Sequence, residues 1–262
     1  MVEERKVKKI LHSKIVGQGN PLLILHGYFG MGDNWKSLAN KFAKNFEVHL
    51  IDQRNHGRSF HTDDFNIKLM REDLYNYIQH HQLEKVNLIG HSMGGKTVMF
   101  FAVKYPKKVH KLIVVDISPR MYPPHHHEIL EALNSINFLI QNTRKLVDKK
   151  LSEKIVEYGV RQFLLKNVYW KKKEQLAYRF NLESLTENSN KVGVALPLFT
   201  NFDGDTLFLK GGNSKYISKD DEQLIKTHFF NSKMITIPKT GHWLHAEKPM
   251  EFYNIALIFF RG

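Results

Sequence analysis

Short apolar runs alternate with amphipathic segments along this chain, and that alternation restricts its fold more than any other feature. Leu22-Leu23-Ile24-Leu25, Val48-His49-Leu50-Ile51, Val86-Asn87-Leu88-Ile89 and Leu112-Ile113-Val114-Val115 are too short for helices and rich in β-branched residues. Runs of this kind read as strands buried on both faces, as in a parallel sheet. Between them, Asp33 is placed to cap a helix carrying Trp35, Leu38 and Phe42 on one stripe. Met70, Leu74, Tyr77 and Ile78 repeat the helical spacing in the next crossover. A third helix starts at about Ser92 and stops near Tyr105, because the following proline disfavours helical backbone in the residue before it. The pattern predicts an α/β fold with a mostly parallel, twisted sheet flanked by helices.

From about Pro119 to Phe202 the alternation stops and helical patterns follow one another, with Ile129, Leu133, Ile136 and Ile140 as one stripe. Strand signals return at Thr206-Leu207-Phe208-Leu209 and Met234-Ile235-Thr236-Ile237, and Phe252, Ile255, Ala256 and Phe259 mark a closing helix. The chain therefore divides into a core, residues 1–119 and 203–262, and a helical cap inserted at residues 120–202. Lys171-Lys172-Lys173 reads as a solvated turn.

The 262 residues are enough for one large domain with an insertion. The absence of cysteine excludes disulfides, a cysteine nucleophile and thiolate metal sites. No cleavable signal pattern follows the mixed-charge N-terminus, and the longest apolar runs fall far short of the ~20 residues that span a bilayer. The expectation is a soluble, cytoplasmic protein. The net charge of +13 would suit nucleic acid, an anionic surface or a phosphate-bearing substrate. No aromatic–basic motif supports nucleic acid, and a lysine-rich proteome is the plainer account of the charge.

Gly90-His91-Ser92-Met93-Gly94 follows directly on the run Val86–Ile89 and opens a helix. A serine forced onto a strand-to-helix turn needs small residues two before and two after it, and the turn pushes its hydroxyl clear of the sheet. Ser92 is thereby the candidate nucleophile. An acyl carbonyl attacked there develops an oxyanion, which backbone N–H groups stabilise. The residue after the nucleophile, Met93, and the turn His26-Gly27-Tyr28-Phe29-Gly30 after an earlier strand are placed to supply them. Tyr28 is the first choice in that turn and Phe29 the near alternative.

A hydroxyl nucleophile needs a base. Of the 15 histidines, His242 in Gly241-His242-Trp243 lies between the last strand and the closing helix, where catalytic groups gather at the carboxyl ends of strands. His245 sits at a helix entrance, and His56 reads as a turn residue. His125-His126-His127 opens a cap helix without a carboxylate pattern, so no metal site is expected. The base needs an orienting acid, yet the loop after Thr206–Leu209 reads Lys210-Gly211-Gly212-Asn213-Ser214 and holds no carboxylate. Asp203 and Asp205 precede that strand, at its wrong end. Asp116, at the carboxyl end of the run before it, takes the role.

Beyond these motifs, Asp52, Arg54, Asn55, His56, Gly57 and Ser59, the stretch Asp116-Ile117-Ser118-Pro119, the loop Gly211–Ser214, the segment Gly241–Pro249 and the cap stretches Gly159–Lys166 and Arg179–Leu182 form a pattern over nearly the whole chain. That pattern resembles the bacterial YbfF-type esterases and their mitochondrial α/β-hydrolase-domain relatives. The resemblance implies an α/β-hydrolase fold with a helical cap, a nucleophile at Ser92, a base at His242 and an acid at Asp116. It also implies action on small acyl esters or acyl-CoA thioesters. The triple histidine and the basic composition depart from the pattern without touching the triad.

The expected function is a serine esterase cleaving carboxylic esters of small or medium acyl chains through an acyl-enzyme, with no cofactor. Phe29, Phe163, Phe180, Trp243 and Leu244 are the candidate acyl-binding residues. An acyl-CoA thioesterase on the same triad is the runner-up. A ligand receptor on a hydrolase scaffold is a third reading, since a fold does not settle function.

Overall fold

The computed structural model describes residues 9–124 and 126–262. Strand β1 (Ser13–Val16) is followed by β2 (Asn20–Leu25), α1 (Lys36–Phe42), β3 (Phe46–Ile51), α2 (Ile67–His80), β4 (Val86–His91), α3 (Met93–Lys104) and β5 (Val109–Val115). Next come α4 (His127–Asn134), α5 (Arg144–Leu151), α6 (Tyr158–Leu165), a hairpin of β6 (Val168–Lys172) and β7 (Gln175–Tyr178), and α7 (Leu182–Glu187). The chain then returns through β8 (Thr206–Gly211), α8 (Asp221–His228), β9 (Ser232–Ile237), α9 (Leu244–Glu247) and α10 (Pro249–Arg261).

The main sheet has seven strands in the order β1-β3-β2-β4-β5-β8-β9. Only β1 runs antiparallel, against β3; the remaining pairings are parallel. The central apolar runs are buried on both sides, as Leu22–Leu25 and Leu112–Val115 show. On one face, Trp35, Phe42, Phe252 and Ala256 bring α1 and α10 onto the sheet. On the other, Leu74, Tyr77, Phe100 and Phe101 seat α2 and α3, and the same apolar cluster continues into the inserted segment through Leu133, Leu164 and Leu185. From β2 the chain moves outward to β3 and then crosses back to β4. Neighbouring crossovers part there, leaving a crevice at the carboxyl ends of β2 and β4.

Three expectations are corrected. Asp33 does not cap α1: it lies inside a short 3-10 turn, Gly32–Trp35, and Trp35 occupies the capping position. Its carboxylate is instead 3.1 Å from the Arg58 guanidinium. The stripe from Ile129 to Ile140 is not one helix, because α4 stops at Asn134 and Ile140 is 66% exposed. The insertion is also not wholly helical, since the β6–β7 hairpin interrupts it. Ile129, Leu133 and Ile136 do pack on the core, but α4 ends at Asn134, which leaves Ile140 outside.

Candidate active site

Ser92 sits between β4 and α3 with φ 53° and ψ −116°. Such backbone strain is worth about 1–3 kcal/mol and persists only where packing over-determines it. Here a Cβ on Gly90 would lie 2.4 Å from the carbonyl oxygen of Gly94, and one on Gly94 would lie 2.4 Å from that of Leu25. The backbone of β2, β4 and α3 is therefore pressed together with no room for side chains. The Ser92 N–H donates to the Val115 carbonyl at 3.0 Å, which ties the turn to β5.

The end of β2 runs alongside. A Cβ on Gly27 would come within 3.3 Å of the Ser92 Cβ, so the backbone of this turn is in contact range of the serine. Of the two candidate donors there, the Phe29 N–H is engaged by His56 Nε2 at 3.3 Å. The Tyr28 ring is anchored through its hydroxyl, which donates to the Leu185 carbonyl at 2.6 Å.

Asp116 and His242 meet although 126 positions separate them: His242 Nδ1 donates to Asp116 Oδ2 at 2.8 Å. Asp116 is fully buried and holds φ 51° at the end of β5. The Gly211 N–H donates to its other oxygen at 3.0 Å, and the Ser214 hydroxyl donates to Oδ2. The stretch Lys210–Ser214, which holds no carboxylate, thus supplies donors to the carboxylate of the neighbouring strand. Tyr216, just past that stretch, stacks on His242, with ring centroids 3.7 Å apart and planes 14° from parallel. The Tyr216 carbonyl accepts from the Tyr122 hydroxyl at 2.5 Å and the Arg120 guanidinium at 3.3 Å. Carboxylate and ring face hold the imidazole in one orientation and leave Nε2 as its other nitrogen.

A cavity of about 580 Å³ contains Ser92, His242, Tyr28, Phe29, Phe163 and Trp243 in its wall. Phe180 and Leu244, expected there, are not part of it. Phe180 is buried behind Phe29, at 5.7 Å between rings, and stacks on Tyr178. Leu244 is buried with Trp35 against the opposite face of the sheet. The Met93 side chain lies outside the wall as well, so any contribution from that residue comes through its backbone. His126 lies against Tyr28 and Phe29 and lines the cavity; His125 falls outside the described residues.

Four further histidines are buried around this centre. His26 Nε2 accepts from the Gln53 N–H at 3.0 Å while its Nδ1 donates to the Gly27 carbonyl at 2.8 Å. His56 is held likewise between Phe29 and the Arg54 carbonyl. His91 Nε2 donates to the His242 carbonyl at 2.9 Å, and His245 stacks on Trp35 at 4.0 Å. Burial pushes His26 down to about 4, and burial together with nearby histidines pushes His56 and His245 to about 3. Burial, then the neighbouring His245 and His242, also holds His91 well below the ordinary histidine range.

As pH falls below about 6.5, an unfolded chain protonates these rings and the folded one does not, so stability falls with pH until the folded values are reached. Each pH unit is worth at most about 1.4 kcal/mol per histidine. Thermal unfolding at pH 5 is therefore expected below that at pH 7, by on the order of 10 °C. An unchanged Tm over that window would refute this account of the four rings.

Sequence reasoning gave no site role to Ser214, Tyr216, His91 or His126. Ser214 stood in the loop that lacks an acid, His91 in the Gly90–Gly94 motif and His126 in the triple histidine, yet none of these marked a contact in the site.

A sequence model described as the alpha/beta hydrolase fold matches residues 20–153. The sn-1-specific diacylglycerol lipase ABHD11 of Mus musculus is 35% identical over 246 residues, 91% of this chain and 80% of that protein. Esterase YbfF of Escherichia coli (strain K12) is 33% identical over 231 residues, 88% of this chain and 89% of that protein. A solved structure described as a marine microorganism esterase superposes with a TM-score of 0.93 at 42% identity, covering 96% of this chain and all of the other.

Proposed function

We propose that this chain, which belongs to the alpha/beta hydrolase family and is a carboxylic-ester hydrolase, cleaves its substrates through an acyl-enzyme formed on Ser92. The observation that carries the mechanism is the His242–Asp116 pair, 2.8 Å apart, in one site with a serine on a strained turn. Ser92 Oγ attacks the acyl carbonyl carbon while His242 Nε2 takes its proton. Asp116 holds the Nδ1–H tautomer and stabilises the imidazolium that forms. The N–H groups of Tyr28 and Met93 receive the oxyanion, a contribution of about 3 kcal/mol per donor. His242 then protonates the departing alcohol and later activates the water that frees the acid. The engagement of the Phe29 N–H by His56 supports Tyr28 as the donor from this turn.

The substrate class is a neutral ester with an apolar acyl chain of small or medium length. Tyr28, Phe29, Phe163 and Trp243 give the cavity aromatic walls, and Lys166 and Glu247 are its only lysine, arginine or acidic lining residues among the described ones. That balance does not favour a phosphate-rich leaving group, which is the acyl-CoA reading. Residues 120–202 act as the cap: α6 contributes Gly159, Val160 and Phe163 to the wall.

A series of neutral esters of increasing acyl length, run beside acyl-CoA thioesters, tests this. The expected result is a kcat/KM optimum at short or medium acyl length, little changed by salt. Higher kcat/KM for thioesters, falling steeply as salt screens exposed charges, would instead favour the acyl-CoA reading.

A further inference from the structure

Part of the insertion combines two features, and of its cations only Lys166 lines the active-site cavity. Residues 136–173 carry ten Lys and Arg against three Asp and Glu, which is +7 of the chain's +13. The same stretch exposes Leu139 (88%), Ile140, Leu146, Val156 (83%), Tyr158 and Trp170. Single exposed apolar side chains are ordinary on soluble proteins; large apolar tips set among lysines are the composition of segments that lie on a lipid surface.

The elements that bear them are packed together. Arg161 of α6 reaches Asp148 of α5 at 2.8 Å. Arg144 of α5 donates to the Val168 carbonyl in β6 at 2.8 Å. Phe138, beside Leu139, packs on Tyr178 of β7 at 4.9 Å. A cleft lined by Arg144, Lys145 and Lys166, with Asp33 and Asp148 among them, shares Gln162 and Lys166 with the wall of the active-site cavity.

We propose that this basic, apolar-tipped face of the insertion docks on an anionic phospholipid bilayer and places the cavity entrance beside the membrane surface. Leu139, Ile140 and Trp170 enter the interface, and Lys145, Lys166 and Lys171–Lys173 face the headgroups. Charge selects this occupant: a second copy would set +7 against +7, whereas an anionic leaflet attracts each cation near it. The inference rests on the ester-hydrolase reading only for where the cavity entrance lies, and binding is read without turnover.

The test is cosedimentation of the full chain with vesicles of phosphatidylcholine, alone or with about a third phosphatidylglycerol. Partition is expected to be at least about tenfold stronger on the anionic vesicles and to fall steeply with salt. Lys171→Glu with Lys172→Glu, and separately Leu139→Ser with Ile140→Ser, should each weaken it about tenfold. Neither pair should change turnover of a short soluble ester, which also reports folding. Lys85→Glu with Lys107→Glu makes the same charge change where β4 and β5 begin, at the opposite end of the sheet, and should leave partition intact. Equal partition on neutral vesicles, no partition on either, or an equal loss in the Lys85/Lys107 control would overturn the proposal. Ser92→Ala should bind vesicles like wild type, so a failure of the serine mechanism and a failure of docking are read separately.

Discussion

Ser92→Ala is expected to lower ester turnover by about 10⁶-fold while the protein unfolds at nearly the wild-type temperature. The hydroxyl is the one group removed. It caps no helix, although Ser92 stands at the N-cap of α3, so its loss leaves no orphaned partner there. Alanine at φ 53° carries the same Cβ strain that serine already bears, and the Gly90 and Gly94 contacts that enforce the turn are untouched. A fluorophosphonate should label wild type at Ser92, the serine oxygen displacing fluoride at phosphorus, and should leave the alanine variant unlabelled. Wild-type turnover in a folded Ser92→Ala protein would sink the acyl-enzyme mechanism.

Asp116→Asn is expected to cost about 10⁴-fold in kcat near neutral pH, by analogy with the same change in serine proteases. Asparagine tolerates the left-handed backbone that Asp116 holds at φ 51°, and its carbonyl can still accept the Gly211 N–H. The fold should therefore survive. What is lost is the charge opposite the imidazolium and the preference for a proton on Nδ1. Asp203→Asn and Asp205→Asn serve as controls, since both precede β8 and lie at the far end of the strand from His242. An Asp116→Asn enzyme of near-normal rate, or one matched in loss by either control, would refute the role given to this carboxylate.

The candidate triad was legible because each member is announced by local chemistry. Ser92 stands on a turn that only small neighbours permit. His242 follows the last strand, and Asp116 was found by a vacancy, the loop Lys210–Ser214 having no acid. The acyl-binding residues were less legible. Phe180 and Leu244 have the right character and stand near the right motifs, yet both are packed into the interior. Hydrophobicity reports that a side chain leaves water, not whether it does so in a cavity wall or behind one.

What the amino-acid sequence determined by itself is the alternation of strands and helices, the carboxyl-end turns and the residue types that chemistry requires there. These depend on neighbours a few positions apart, through steric limits on the backbone and the period of apolar residues. Only the tertiary structure decided which distant groups surround them. Ser214 reaches Asp116 across 98 positions, Tyr216 covers the His242 ring, His56 takes the Phe29 N–H, and His126 enters the cavity from the insertion. Such contacts follow from how strands β5, β8 and β9 are ordered side by side and how the insertion folds back over them. That order is set by the simultaneous burial of many apolar side chains, a property of the whole chain that no short stretch of it records.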